Sequence, residues 1–163
     1  MIIRPYKPQD LLALHKIETI CFPKGIAYTQ AELRHYITTP RSLTLVAEDD
    51  NGQIVGFIVA QVECWRKQAP QPPQLWGHII TIDILPSFRR HGLGQALLKE
   101  AEQWLMSQGC VLIELEVSIE NAPAIAFYQK NGYRPCWLLS RYYPDGTDAY
   151  LMQKEVSSPA DAI

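Results

Sequence analysis

Two arginines and two glycines, placed where a strand-like segment gives way to a helix-like one, could bind a phosphate group. The turn reads Arg89-Arg90-His91-Gly92-Leu93-Gly94; the β-branched run His78–Leu85 precedes it, and Gln95–Gln108 follows with apolar residues at helical spacing. A helix start offers unpaired N–H groups and the positive end of its dipole, and arginines add charge-assisted hydrogen bonds. The residues therefore predict a phosphate-binding turn, although an ordinary turn that needs glycine for its backbone angles would also fit.

Two other glycine-rich phosphate loops do not match this turn. A Walker loop has Lys and then Ser or Thr directly after its last glycine, whereas Gln95 follows Gly94. A dinucleotide-binding fingerprint has a third glycine at the position that Leu97 occupies. The pattern that remains is R-x-x-G-x-G, in which Arg89 and Gly92 precede Gly94. It leaves the identity of the phosphate-bearing ligand open.

Carboxylates on a predicted central strand are candidates for contact with a ligand. Within Cys110–Ser118, the side chains of Glu114 and Glu116 lie on one face of the strand. A strand that follows a crossover helix is expected to be covered on both faces, so a carboxylate there needs a reason. For Glu114 we favour a solvated position, because charged groups are seldom buried without a partner. Glu116 lies nearer the carboxyl end of the strand, where ligand crevices form in such sheets.

Two further side chains could transfer protons. Tyr128 follows Asn121 and Ile125 at helical spacing. A tyrosine there more often packs in the core, but its phenol can donate a proton to a leaving thiolate. His78 could act as a base, directly or through a water molecule, although a structural or exposed histidine is the commoner case. Asp83 lies on the opposite face of the same strand and receives no role of its own.

The apolar periodicity and the turn signals predict the elements that position these residues. The predicted strands are 1–5, 43–48, 53–62, 75–85, 110–118, 133–140 and 149–154, and the predicted helices are 10–20, 29–37, 95–108 and 121–131. Strand–helix–strand units in the second half imply local parallel pairing in an otherwise antiparallel sheet. The predicted fold class is α/β (α+β), a mixed and mostly antiparallel seven-stranded sheet flanked by four helices. It forms one domain over residues 1–155, followed by a flexible tail over 156–163.

Length and composition limit the functions that the chain can have. Its 163 residues, 47% hydrophobic and 20% charged with a net charge of −2, are typical of one globular domain. The absence of a basic run argues against direct nucleic-acid binding, and no apolar stretch reaches membrane-spanning length. The four cysteines are scattered without a C-x-x-C pair, which predicts neither a metal site nor disulfides and favours a cytoplasmic location.

Several of these segments together resemble a known family. The turn at 89–94, the strand before it, and Asn121–Tyr128 (NAPAIAFY) with Gly132-Tyr133 look like the acetyl-CoA-dependent GNAT N-acetyltransferases. Phe22-Pro23, Leu115-Glu116-Val117 and Arg141-Tyr142-Tyr143-Pro144 are similar to the RimI type, which acetylates the N-terminal α-amine of a ribosomal protein. The chain departs from the RimI pattern at 24–28, where a Trp-Ser continuation is missing, and in a long proline-rich loop at 64–74. Both segments would border the acceptor groove.

The resemblance implies a cofactor, a substrate and a role for each site residue. Acetyl-CoA would be the cofactor, and a protein or peptide N-terminus, such as that of a ribosomal protein, the substrate; the chain would be a monomer or a homodimer. The implied cofactor-binding residues are Ile82, Asp83 and Ile84 for the pantetheine arm, Arg89, Arg90, His91, Gly92, Leu93, Gly94 and Gln95 for the pyrophosphate, and Asn121 near the thiol. Glu116 would be the base and Tyr128 the acid, while Phe22, Pro23, Tyr142 and Tyr143 would line the substrate groove.

The acid–base properties of amines favour an α-amine as the acceptor. A peptide α-amine has a pKa of ~7.7–8.0, against ~10.4 for a lysine side chain. A carboxylate is therefore a sufficient base for an α-amine, and direct attack in a ternary complex gains most from orientation. Two alternatives stay open: acetylation of a small-molecule amine, and a non-catalytic acyl-CoA-binding sensor.

Overall fold

The computed structural model describes residues 1–65 and 74–156, which form seven strands and four helices in the predicted order. The strands are β1 Ile2–Pro5, β2 Ser42–Glu48, β3 Ile54–Trp65, β4 Gln74–Ile84, β5 Leu112–Ser118, β6 Arg134–Leu139 and β7 Ala149–Glu155. The helices are α1 Leu11–Cys21, α2 Gln30–Thr38, α3 Leu93–Ser107 and α4 Ala122–Lys130. Short 3₁₀ turns lie at Pro8–Asp10 and Pro86–Phe88.

The seven strands form one mixed sheet in the order β1-β2-β3-β4-β5-β7-β6. Antiparallel pairs join β1 to β2, β2 to β3, β5 to β7 and β7 to β6. Strands β4 and β5 are parallel, with His78 opposite Glu114. A parallel pair needs a crossover connection, and the segment between these two strands contains helix α3. The predicted fold class is confirmed.

The chain divides into two compact units, the first of which comprises Met1–Gln61 and Ile79–Ala101. Its core holds fully buried side chains from α1, α2, β2 and β3, namely Leu14, Leu33, Val46, Phe57 and Val59. Each large apolar side chain buried in this way contributes about 1.5–3 kcal/mol. Helix α2 begins with a capping box, because Thr29 accepts from the Glu32 amide and Glu32 accepts from the Thr29 amide.

The second unit comprises Val62–His78 and Glu102–Ile163. Alternate residues of β5 are buried, among them Ile113 and Leu115, so one face of the strand is fully covered and the other only partly. Gly77 on β4 allows helix α3 to pack closely, because a Cβ atom there would lie 2.6 Å from Leu105 Cδ1. Cys110 is buried, and none of the four cysteines, all of which lie in the described residues, forms a disulfide.

Some boundaries differ from the sequence-based prediction. Helix α3 begins at Leu93, so it includes the second glycine of the R-x-x-G-x-G pattern. Strand β3 extends to Trp65 rather than ending at Val62. The centre of the predicted proline-rich loop, 66–73, lies outside the described residues, as does the predicted tail apart from Val156. None of the helices in the described segments is long and apolar enough to cross a membrane.

Candidate active site

The turn predicted to bind phosphate adopts a conformation that glycine favours. Gly92 has a φ of 80° and Arg90 a φ of 65°, both in the left-handed region. No described atom lies within 4 Å of the point where a Cβ on Gly92 would stand, so the space beside it is open. Arg90 and His91 are exposed, and α3 begins directly afterwards. An open turn with basic side chains at a helix start fits the diphosphate of a coenzyme.

The arginine that opens the turn is tied to the end of strand β4. Arg89 Nε donates to the Ile84 carbonyl oxygen at 2.9 Å, and Cys21 Sγ donates to the same oxygen at 3.4 Å. Gly56 on β3 permits a close approach to β4, because a Cβ atom there would lie 2.8 Å from Asp83 O. The phosphate turn is thus held against the strand whose main chain is predicted to bind the pantetheine arm.

A buried group of polar side chains lies beneath this strand. Glu18 and Asp83 are each 1% exposed. Thr81 Oγ1 lies 2.7 Å from Asp83 Oδ1 and 3.3 Å from Glu18 Oε2, and its single proton can serve only one of them. Burial, followed by the charge of Glu18, raises the pKa of Asp83 well above its ordinary value. Asp83 therefore keeps its proton to a higher pH than an ordinary aspartic acid does.

Glu18 accepts hydrogen bonds from both ends of the loop 22–28, which was predicted to border the acceptor groove. The Phe22 amide donates to the Glu18 carbonyl at 3.0 Å, and the Tyr28 amide donates to Glu18 Oε1 at 3.1 Å. Pro23 O accepts within the loop from the amides of the residues three and four positions on. Phe22 is half-buried and Pro23 exposed. Their contact with a substrate stays a prediction.

In the second unit, three ionisable side chains form a continuous line across the sheet. Glu63 Oε1 on β3 lies 2.7 Å from His78 Nδ1 on β4, and His78 Nε2 lies 2.6 Å from Glu116 Oε2 on β5. The side chains of His78 and Glu116 are each 16% exposed. Burial disfavours a charged imidazole, but the hydrogen bonds that the ring donates to Glu116 and Glu63 outweigh it and raise the pKa of His78 to about 10. At neutral pH His78 is therefore an imidazolium between two carboxylates.

One of the two tyrosines predicted to line the groove lies near Glu116. Burial, and then the charge of Glu116, raises the pKa of Tyr143 to about 12. Its ring meets Tyr142 edge-on with the centroids 4.9 Å apart. Arg141, just before the pair, has a φ of 52°, and its amide donates to Asp148 Oδ1 at 2.8 Å. This side-chain cap fixes the hairpin that presents both tyrosines.

The two predicted site residues at helix α4 have structural contacts as well. Asn121 caps the helix, because its Oδ1 accepts from the Ala124 amide at 3.2 Å. Tyr128 is 7% exposed, and its ring packs edge-on against Phe127 and Tyr133. Both positions agree with the sequence-based reading of a cap and a buried tyrosine. Their catalytic and cofactor-binding roles stay predictions.

Comparison with known proteins decides the family. Residues 11–133 match the model of the Acetyltransferase (GNAT) family. The chain belongs to the GNAT acetyltransferase family. The N-alpha-acetyltransferase of Sulfurisphaera tokodaii is 34% identical over 155 residues, covering 92% of this chain and 90% of that protein.

Solved structures of GNAT acetyltransferases share the fold over nearly the whole chain. Chaetomium thermophilum Naa20, solved with a bisubstrate analogue, has a TM-score of 0.79 and 27% identity, covering 99% of this chain and 90% of that one. The ribosomal-protein-S18-alanine N-acetyltransferase of Escherichia coli has a TM-score of 0.78 and 25% identity, covering 99% and 97%. The expected resemblance to GNAT enzymes, the RimI type included, is confirmed.

As a member of the GNAT family, the protein is an acyltransferase and acetyl-CoA is its cofactor. The described residues contain no group of His, Cys, Asp and Glu side chains arranged to hold a metal ion. The sequence indicated Glu116 and His78 as candidates but not Glu63, the third member of their line. Glu63 lies between the predicted end of strand β3 at residue 62 and the predicted loop at 64–74, so it was assigned to neither. The alternation of side chains between the two faces of the strand continues through Glu63, and this pattern could have identified it.

Proposed function

We propose that the protein is an N-alpha-acetyltransferase, which transfers an acetyl group from acetyl-CoA to the free α-amine of a protein N-terminus. The observation that supports this most is the carboxylate of Glu116, held by His78 Nε2 at 2.6 Å near the carboxyl end of β5. Relatives with the same named activity include the archaeal protein described above and the NAA10 catalytic subunit of Arabidopsis thaliana, which is 32% identical over 157 residues. Residues 1–155 would form the catalytic domain.

Each step of the transfer has a candidate residue. Acetyl-CoA supplies the acetyl group as a thioester. The turn at 89–94 with Gln95 holds the diphosphate, and the main chain of 82–84 together with Asn121 orients the arm that carries the sulfur. Glu116 takes the proton that the amine loses as its nitrogen bonds to the acetyl carbon. Tyr128 gives a proton to the sulfur as the carbon–sulfur bond breaks.

The strength of the base agrees with an α-amine acceptor. An α-amine with a pKa of ~7.7–8.0 is partly neutral near pH 7, whereas a lysine side chain with a pKa of ~10.4 is almost wholly charged. A carboxylate is a weak base. It can take the proton that an α-amine sheds during attack, but it is poorly suited to deprotonating lysine.

A narrower form of the proposal is that the acceptor is the N-terminus of a ribosomal protein. The likeness to the Escherichia coli S18-alanine enzyme supports it. The curated relatives point to other N-terminal acetyltransferases, for example the N-terminal acetyltransferase A catalytic subunit of Schizosaccharomyces pombe, 29% identical over 160 residues. Phe22, Pro23, Tyr142 and Tyr143 would line the groove that makes this choice.

A panel of acceptors tests the proposal. The protein is incubated with acetyl-CoA and one of three acceptors: peptides with a free N-terminus, peptides with a blocked N-terminus and an internal lysine, or small amines. Released thiol is then measured. Turnover only with free N-termini supports the proposal, and a ribosomal-protein N-terminus among the best peptides supports its narrower form. Turnover confined to lysine peptides or small amines contradicts it, and binding of acetyl-CoA without turnover favours a sensor.

A further inference from the structure

Glu63 makes a hydrogen bond that neither proton transfer to Glu116 nor cofactor binding requires. Its Oε1 lies 2.7 Å from His78 Nδ1, on the opposite side of the imidazole ring from Glu116. The Glu63 side chain is 29% exposed, so its charge is only partly solvated. Glu63 on β3, His78 on β4 and Glu116 on β5 come from three neighbouring strands of the sheet.

The geometry restricts the state of the histidine. A neutral imidazole has one N–H donor and one bare nitrogen, whereas an imidazolium has two donors. Both ring nitrogens face carboxylate oxygens within 2.7 Å, so with both glutamates ionised the ring satisfies both partners only when both nitrogens carry protons. A carboxylate at Nδ1 also prevents the ring from rotating away from its second partner.

We propose that Glu63 is a positioning residue for acetyl transfer, which orients His78 so that Nε2–H donates to Oε2 of Glu116 and leaves Oε1 of Glu116 to receive the proton of the amine. This inference rests on the proposed function for its catalytic consequence. Its structural part, the doubly protonated state of His78, can be measured without an acceptor.

Four ionisable groups in the described residues determine how this arrangement responds to pH. Glu63 and Glu116 face His78 directly, and Tyr143 lies within reach of the Glu116 charge. Glu114 is opposite His78 in the strand register, but its Oε2 accepts from Gln153 Nε2 at 3.1 Å. Removing the charge of Glu63 takes away one of the two interactions that raise the pKa of His78. Removing the charge of Glu114 leaves both of them in place.

The activity test compares Glu63→Gln with Glu114→Gln over the neutral and alkaline range. In Glu63→Gln, His78 should lose its proton at a lower pH, so the alkaline fall of kcat begins earlier. We expect kcat at mildly alkaline pH to drop about 10- to 100-fold, by analogy with carboxylates that orient metal-bound histidines, with KM for acetyl-CoA unchanged. Glu114→Gln should keep the wild-type profile. Superimposable profiles for Glu63→Gln and the wild type, or equal shifts in both variants, would overturn the proposal.

Nitrogen NMR of the histidine side chains gives a readout that does not depend on turnover or on the stability of a variant. Signals are assigned by comparison with His78→Gln. In the wild type, both ring nitrogens of His78 should remain protonated from neutral to mildly alkaline pH. A neutral ring in that range would overturn the proposal even if acetyl transfer is confirmed. If no amine is acetylated, the proposed function fails, and the ring's protonation state still decides the structural role of Glu63.

Discussion

At the scale of single residues, one substitution can remove the basic function of Glu116 and keep its hydrogen bond with His78. Glu116→Gln retains an oxygen that can accept from His78 Nε2 but cannot take a proton from the amine. We expect kcat to fall by about 10²- to 10⁴-fold, the usual contribution of general-base catalysis. The dissociation constant for acetyl-CoA, measured by calorimetry, should stay unchanged. A variant with wild-type kcat on an α-amine peptide would exclude Glu116 as the base.

Tyr128 makes a second residue-level prediction. Its ring packs against Phe127 and Tyr133, so Tyr128→Phe keeps the ring contacts and deletes the hydroxyl, which is the proposed acid. We expect kcat to fall at least ~10-fold, while thermal stability and acetyl-CoA affinity remain near wild type. Tyr150→Phe on β7 is the matched control, since it removes a phenol that has no proposed role. Equal rates for the two variants would exclude Tyr128 as the acid.

At the scale of elements, the turn before helix α3 can be tested through its glycine. Gly92→Ala places a Cβ atom at a φ of 80°, a conformation that costs an L-residue about 1–2 kcal/mol. Gly52→Ala, in the turn between β2 and β3, is a close control, because its φ is 78° and no described atom lies within 4 Å of its Cβ position either. Both variants should lose similar thermal stability. Only Gly92→Ala should weaken acetyl-CoA binding, and equal affinities would argue against the phosphate turn.

A structural feature could be predicted from the sequence where its cause lies within a few neighbouring residues. The predicted helices begin at Thr29 and Asn121, and the structure confirms these residues as the N-caps of α2 and α4, which depend on contacts within four residues. The line from Glu63 to Glu116 depends on the register of β3, β4 and β5, which no local signal contains. The sequence therefore placed Glu116 and His78 on strands, but it could not show that they touch. The buried pair of Glu18 and Asp83 was missed for the same reason, because its partners lie 65 residues apart.

At the scale of the whole molecule, stability should depend on pH through groups that keep their protons on folding. Asp83 has a raised pKa, so above its ordinary value of 3.8 the folded chain holds a proton that the unfolded chain releases. His78 acts in the same direction: its contribution is complete below 6.5 and is lost as pH rises through about 10. Both groups make the free energy of unfolding fall as pH rises. Substituting one of the two groups isolates its effect on the pH dependence of stability, because the other group contributes equally to the variant and the wild type.

Asp83→Asn removes the first of these two effects while preserving the shape of the buried site. The amide oxygen can still accept from Thr81, and the amide nitrogen can donate to Glu18. As pH increases above 3.8, the free energy of unfolding of Asp83→Asn should therefore rise relative to that of the wild type. This difference can change by at most about 1.4 kcal/mol per pH unit, which is the slope for one proton. Denaturant titrations at several pH values measure this difference, with the exposed Glu120→Gln as the control. A difference that stays constant with pH would mean that Asp83 is ionised in the folded protein.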